Sequence, residues 1–338
     1  MLQFVELSGK KPMVKMKTEM KRGDLSLSNS RRAESAVSGR LVRHFRNFWP
    51  YYVMILPGLT FLILIKYIPM AGSAIAFQNF SLRKGIWASS WVGLENFRKL
   101  LDYDDFYRVF RNTLILGALK TLIVFPVPIL LALLMNELRH PLVKKSIQTV
   151  VTIPHFISWV IVGGLTFDVL GAAGLFNQIR SLFGLEMILP MQKSAWFRTV
   201  YVLTSIWKES GWGTVVYLAA ISGIDPGLYE SASIDGASRF QKMTRITFPM
   251  ILPTAVTLFL INIGSFLDLG FDQVFNLYTP MTYDVADIFD TYVYRSGIQQ
   301  GKYSFSTAVG LFQSVIGFIL VVVFNRLSKR VSEDGGLW

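Results

Sequence analysis

Six apolar stretches dominate the chain, at residues 48–68, 108–136, 147–170, 196–221, 250–269 and 303–325. Each is long enough, at a rise of about 1.5 Å per residue, to cross a hydrocarbon layer about 30 Å thick. The sixth carries no charge, the second is interrupted by Lys120, and the fourth holds Lys208 and Glu209 near its middle. Two shorter apolar patches, 70–80 and 171–179, cannot span and are expected to be interfacial or re-entrant. The pattern predicts an all-α integral membrane protein with six transmembrane helices.

Sidedness follows from where Lys and Arg lie between these runs. Eleven of them fall between Lys10 and Arg46, ahead of the first run. Arg139, Lys144 and Lys145 follow the second run, Arg239, Lys242 and Arg245 the fourth, and Arg326, Lys329 and Arg330 the sixth, so 20 of the 34 share one side. Both termini are therefore expected to be cytoplasmic, despite Arg83, Lys84, Arg98 and Lys99 on the first outer segment. The first apolar run starts too late for a secretory signal peptide of usual layout, so it is expected to be an uncleaved anchor. The expected organisation is a basic tail over 1–47 with an interfacial helix at 38–49 and an unstructured stretch 1–37, a six-span domain over 48–327, and a tail over 328–338. The place implied is the cytoplasmic (inner) membrane of a bacterium, as a multi-pass protein.

Composition narrows the classes further. With 52% hydrophobic and 17% charged residues among 338 and a mean hydropathy of +0.42, the composition argues against a soluble cytoplasmic enzyme. The net charge of +12 could point to nucleic acid, but its placement on one side of the spans and in the tail fits anionic lipid instead. No nucleic-acid partner is expected. Cysteine is absent, which removes disulfides, thiolate metal sites and a Cys nucleophile, and His44, His140 and His155 are far apart in sequence. There is no Gly-x-x-x-x-Gly-Lys-Ser/Thr run to cradle a nucleotide, and no catalytic acid, base or metal constellation.

The polar segment 223–250 between the fourth and fifth runs is the most informative. Asp225-Pro226 is a helix start, with Asp as N-cap and Pro in the first helical position. Gly236 permits a turn that a Cβ would hinder, and Ser238 with Gln241 forms a capping-box start for a second short helix ending before Pro249. A helix, a glycine turn and a helix are therefore expected. Its apolar residues Leu228, Tyr229, Ala232 and Ile234 need a surface to cover them, either the chain's own spans or a partner.

The run Tyr229-Glu230-Ser231-Ala232-Ser233-Ile234-Asp235-Gly236-Ala237, followed at the right distance by Ile246 and by Phe248-Pro249, resembles the EAA loop of binding-protein-dependent ABC importer permeases. The family pattern is Glu-Ala-Ala, three residues, Gly, nine residues, Ile, one residue, Leu-Pro. Here Ser231 and Phe248 depart from its letters but keep its spacing. Leu56-Pro57-Gly58, Lys66 to Met70, Ala76-Phe77-Gln78, Trp91 to Phe97, Asn112-Thr113 and Gly336-Leu337-Trp338 together resemble the LplB-like branch of carbohydrate permeases, akin to MalF-type subunits.

The resemblance implies a transport subunit rather than an enzyme, passing oligosaccharide, uronic-acid-containing ones included, from an extracytoplasmic solute-binding protein to the cytoplasm. It implies a second, related permease subunit and two ATP-binding subunits that hold ATP and Mg, with no cofactor on this chain. Tyr229, Glu230, Ser231, Ala232, Asp235, Gly236 and Ala237 would form the cytoplasmic helix-turn-helix coupling loop seated on an ATPase subunit.

Ionisable groups at membrane depth are costly and point to function. Lys208 and Glu209, flanked by Trp207 and Trp212, are candidate pathway residues, because sugars need aromatic faces beside donors and acceptors. Adjacent positions diverge by about 100° on a helix, so these two are not expected to pair with each other. Gly211 and Gly213 could loosen this helix. Asn262 joins the candidates through a polar stripe with Ser265, Asp268 and Asp272, and His155 and Trp159 through a shared face after Pro154. The alternatives are structural pairing between spans for Lys208 and Glu209, interhelical hydrogen bonding for Asn262, interfacial solvation for Asp268 and Asp272, and a satisfied buried histidine for His155. Gly310, Gln313 and Gly317 read as a close-packing stripe. An ion-coupled transporter or pore, using Asp268, Asp272 or Glu209, is the competing reading of the whole chain.

Overall fold

The computed structural model describes residues 47–264 and 266–331. Most of the expected interfacial helix, the unstructured stretch, most of the C-terminal tail, and Ser265 lie outside these residues. Among the described residues, five helices are long and apolar enough to cross a membrane: Asn47–Phe77, Asp104–Asn136, Trp159–Leu182, Arg239–Gly264 and Tyr303–Arg326. The helix Ser194–Ser222 has 29 residues, about 43 Å of rise, and is as long as the others. Its central charges and aromatic residues are what reduce its hydropathy. The chain divides into two compact units, Met1–Ala71 and Gly72–Trp338, and the described part of the first is a single helix with no buried residue.

Prolines shape the long helices of the second unit. A proline inside a helix lacks the N–H for the preceding turn, and its ring collides with the carbonyl four residues back. The Asp104–Asn136 helix widens into a π turn at Lys120–Val124 just ahead of Pro126. The short helix Arg239–Lys242 likewise passes through a π turn at Met243–Thr247 into Phe248–Gly264. The helix expected to stop before Pro249 therefore continues through it, because the widened turn makes room for the ring.

The third run is solved differently. A continuous span over 147–170 was the expectation, but the chain forms a helix Pro141–Thr152, a tight 3-10 turn Ile153–Phe156, two extended residues, and a new helix Trp159–Leu170. Pro154 sits in the turn, and Ser158 caps the new helix by accepting from the Ile161 amide. A run of apolar residues has no periodic signal that distinguishes one helix from two, so the break was not visible in hydropathy.

At the end opposite residues 223–250, a two-residue ladder pairs Gln78–Asn79 with Ser90–Trp91, a small exception to an all-helical chain. Asn96 ties this corner together by donating to the Ala76 and Gln78 carbonyls at 2.8 and 3.0 Å. Asn112 donates to the carbonyls of Asp284 and Asp287, while the Thr113 hydroxyl accepts from the Phe289 amide. These residues, which carried part of the family resemblance, fix the 284–289 segment onto the second long helix.

Two apolar cores stack along the Ser194–Ser222 helix. Phe197, Val200 and Tyr201 join Leu116, Leu269, Val274 and Leu277 at one end. Tyr217 and Ile221 join Ala132, Leu133, Ile251 and Ala255 at the other. Between Tyr201 and Tyr217, about 24 Å apart along the axis, lies the polar stretch that contains Lys208 and Glu209. A third core of Leu100, Phe106, Val109, Phe289, Tyr292 and Val309 holds the segment after residue 286 against the second and last helices.

Candidate functional site

The Ser194–Ser222 helix presents three faces to three environments. Lys208, Gly211 and Trp212 recur at spacings of three and four, so they share one face. That face grips the break in the 141–170 segment. The buried Lys208 ammonium donates to the His155 carbonyl at 2.7 Å and lies 5.4 Å over the Trp159 ring. The Trp212 ring stacks parallel on His155 with centroids 4.9 Å apart. At Gly211 the backbone of the broken segment comes so close that an added Cβ would lie 1.8 Å from the Val151 carbonyl oxygen. Gly211 is thus a site of close approach, not a point of loosening. Lys208 serves a carbonyl that the interrupted helix leaves without its usual donor.

A second face carries Glu209, Trp212, Gly213 and Val216 into a cavity of about 390 Å³, whose wall also includes Lys120, Phe125, His155, Tyr217 and Asn262. Of the seven candidate pathway residues, the fold brings His155, Glu209, Trp212 and Asn262 to this cavity. Lys208 and Trp159 lie behind its wall, in the grip on the break. Trp207 points to a third face, an apolar groove shared with Leu203, Val169 and Phe176. Lys120 was noted in the sequence only as an interruption, although a lone charge in an apolar run is itself a signal. Its ammonium stands 3.3 Å from Glu209 Oε1, with the two side chains 29% and 33% exposed. Asn262 donates to the Leu258 carbonyl of its own helix. The His155 Nδ1 is enclosed without a hydrogen-bond partner among the described residues. The volume suits a small polar ligand, and the wall offers one cation, one anion, an amide and stacked rings.

At the 223–250 end the local geometry follows the reading of the sequence closely. The helix Pro226–Ile234 is capped by Asp225, whose side chain accepts from the Gly227 amide at 2.9 Å. Gly236 takes a φ of +77°, a region costly for residues with a Cβ. Ser238 and Gln241 form a complete capping box. Two cross-links hold the hairpin: Lys242 donates to the Ser233 hydroxyl at 2.6 Å, and the Tyr229 and Thr247 hydroxyls meet at 2.9 Å. Tyr229 packs on the core around Tyr217 and Ile251, and Ala232 and Ala237 are half-buried. Glu230, Ser231, Asp235 and Gly236 are exposed, as are Leu228, Phe240 and Ile234, the last at 87%. The hairpin thus anchors one face internally and leaves a mixed apolar and acidic face uncovered.

At the opposite end, a polar cavity of about 610 Å³ is lined by Asn79, Lys99, Tyr103, Arg295, Lys302 and Tyr303, among others. Arg295 pairs through both terminal nitrogens with Asp287, which is fully buried and also accepts from the Thr291 hydroxyl. The guanidinium lies over the rings of Tyr283 and Tyr292. Burial by itself lowers the Arg295 pKa, but the Asp287 hydrogen bond and charge outweigh it, and the net shift is upward. Three residues away, Asp290 has only Gln313 as a side-chain partner, and its Oδ2 is enclosed without one among the described residues.

The family described as binding-protein-dependent transport system inner membrane component matches residues 124–333, and the chain belongs to it. It is a permease subunit of an ABC importer, a membrane transport component and not an enzyme. This decides against the ion-coupled transporter. Among its relatives, the polygalacturonan/rhamnogalacturonan transport system permease protein YteP of Bacillus subtilis (strain 168) is 49% identical over 84% of this chain and 89% of its own length. Protein LplB of the same strain is 47% identical over 86% and 91%. The fold is similar, with a TM-score of 0.81 and 40% identity over 87% of this chain and 99% of the other, to a chain of a bacterial ABC transporter involved in the import of the acidic polysaccharide alginate.

Proposed function

We propose that this subunit passes oligosaccharides containing uronic acid from an extracytoplasmic binding protein towards the cytoplasm, with the 390 Å³ cavity as its part of the pathway. The observation that carries this reading is the cavity itself, where an ammonium, a carboxylate, an amide and stacked rings meet between two apolar cores. The acidic polymers named for YteP and for the alginate transporter support it. In this reading the Ser194–Ser222 helix is the fourth of six spans, both termini are cytoplasmic, and the basic tail lies near anionic lipid in a bacterial inner membrane. A second, related permease chain completes the pathway, and two ATP-binding subunits supply ATP and Mg.

The segment 223–250 is the coupling loop. Its exposed Glu230, Ser231, Ile234 and Asp235 meet the ATPase, while Tyr229, Ala232 and Ala237 hold it to the body. ATP binding draws the ATPases together, moves this hairpin, and rocks the spans from inward-open to outward-open as the binding protein releases sugar.

The test is to replace Glu230 by Ala and Gly236 by Val in the complete importer. Glu230 is exposed, so its loss leaves folding intact; a β-branched residue at Gly236 strains the turn. Both variants are expected to reach the membrane in normal amount and to lose ATP-driven uptake. Normal uptake by both would overturn the coupling assignment.

A further inference from the structure

We propose that Lys120 is a binding subsite for a sugar carboxylate in the membrane cavity, and that Glu209 keeps that subsite weak enough for transit. The inference rests on the oligosaccharide reading above and goes beyond it by naming the group that recognises the acid.

A neutral sugar site needs rings and hydrogen-bonding groups, which His155, Trp212 and Asn262 already supply. An ammonium at membrane depth adds a desolvation cost that a neutral ligand does not repay. Lys120 could have been neutralised as thoroughly as Arg295 is, by two contacts to a fully buried carboxylate. Instead it makes one contact with one oxygen of Glu209, at the long end of hydrogen-bonding distance, and both side chains line the cavity and stay about one-third exposed. An ammonium has three N–H donors. Glu209 occupies one of them, and no other side chain or carbonyl among the described residues takes the remaining two. A second, smaller cavity of about 60 Å³ also has Lys120, Thr121, Asn262 and Asp268 in its wall, so Lys120 borders two spaces.

A carboxylate entering the larger space can take the free donors while Glu209 keeps its own. The two anions then share one cation, and their mutual repulsion lowers the affinity. A transit site needs that balance, since a ligand that binds too well does not leave.

The arrangement makes opposite predictions for the two partners. A merely structural ion pair would suffer alike from loss of either side chain. A carboxylate subsite is abolished by Lys120→Gln but strengthened by Glu209→Gln, which removes the competing anion. The experiment is saturation-transfer NMR on the complete importer in nanodiscs without its binding protein, using trigalacturonate and its neutral methyl ester. The unmodified importer is expected to bind the acid more tightly than the ester. Lys120→Gln should weaken acid binding by about tenfold or more, the scale of one charged hydrogen bond, and leave ester binding unchanged. Glu209→Gln should tighten acid binding several-fold, and Lys120→Arg should retain the preference. Equal binding of acid and ester by the unmodified importer would overturn the subsite and leave the oligosaccharide reading standing. Parallel losses of both ligands in the two Gln variants would show the pair to be structural. Binding of neither form by the unmodified importer would overturn both readings.

Discussion

Two of the ion pairs among the described residues, Arg295–Asp287 and Lys120–Glu209, have the same formal chemistry and are built in opposite ways. Asp287 is fully buried, receives both terminal nitrogens of Arg295 and the Thr291 hydroxyl, and its partner lies over two tyrosine rings. Lys120 and Glu209 share a single 3.3 Å contact on the wall of a cavity. The first pair sits on a carboxylate that accepts three hydrogen bonds from two side chains, and it locks the 284–295 segment in place. The second retains free donors and faces open space. The difference teaches that charge in a membrane protein reads as structure when its contacts are complete and as a binding group when they are not.

The strongest way to break this comparison is Arg295→Gln, which leaves Asp287 charged and buried. A loss of about 3–5 kcal/mol is expected, seen as a large fall in melting temperature of the purified protein. The converse change at the cavity, Glu209→Gln, should alter stability by at most about 1 kcal/mol, because the pair is partly exposed and singly bonded. Similar losses in the two variants would erase the distinction.

Lys208→Met falls between these extremes. It removes the donor to the His155 carbonyl and leaves that acceptor enclosed at the break, at a cost of about 1–3 kcal/mol. Since Lys208 lies behind the cavity wall, its variant should lose stability before it changes preference for acidic over neutral sugar. A changed preference at unchanged stability would place Lys208 in the pathway instead.

Asp290 sharpens the contrast from a third side, with the smallest effect. Burial, together with the charge of Asp268 and against the hydrogen bond from Gln313, raises its pKa from the ordinary 3.8 to about 6. Its folded-state pKa is thus above its unfolded value. The stability it contributes is fully present below about 3.8 and is lost as pH rises through about 6. Melting temperature should therefore rise modestly from pH 7 to pH 5, and Asp290→Asn should flatten that part of the profile.

How much of this was legible beforehand varied with the distance over which the information is spread. The hairpin was legible almost residue by residue: Asp225, Pro226, Gly236, Ser238 and Gln241 act on neighbours two to four positions away, so their types and spacing contain the geometry. The candidates in the cavity were half legible. Cost of burial singled out Lys208 and Glu209, but not which of them would face the open space. The answer came from helix phase against two other segments. The broken span was not legible, because Pro154 within an apolar run is compatible with either a kinked helix or two separate ones.

The sequence by itself determined the six apolar runs, the motif hairpin and the family, because run length, capping and motif spacing are local quantities. Tertiary structure alone decided that Lys120 meets Glu209 across 89 residues and that Lys208 serves the His155 carbonyl across 53. Those partnerships depend on the relative rotation of packed helices and on the close approach allowed at Gly211. No single helix encodes either, since each face acquires its environment only when the others are in place.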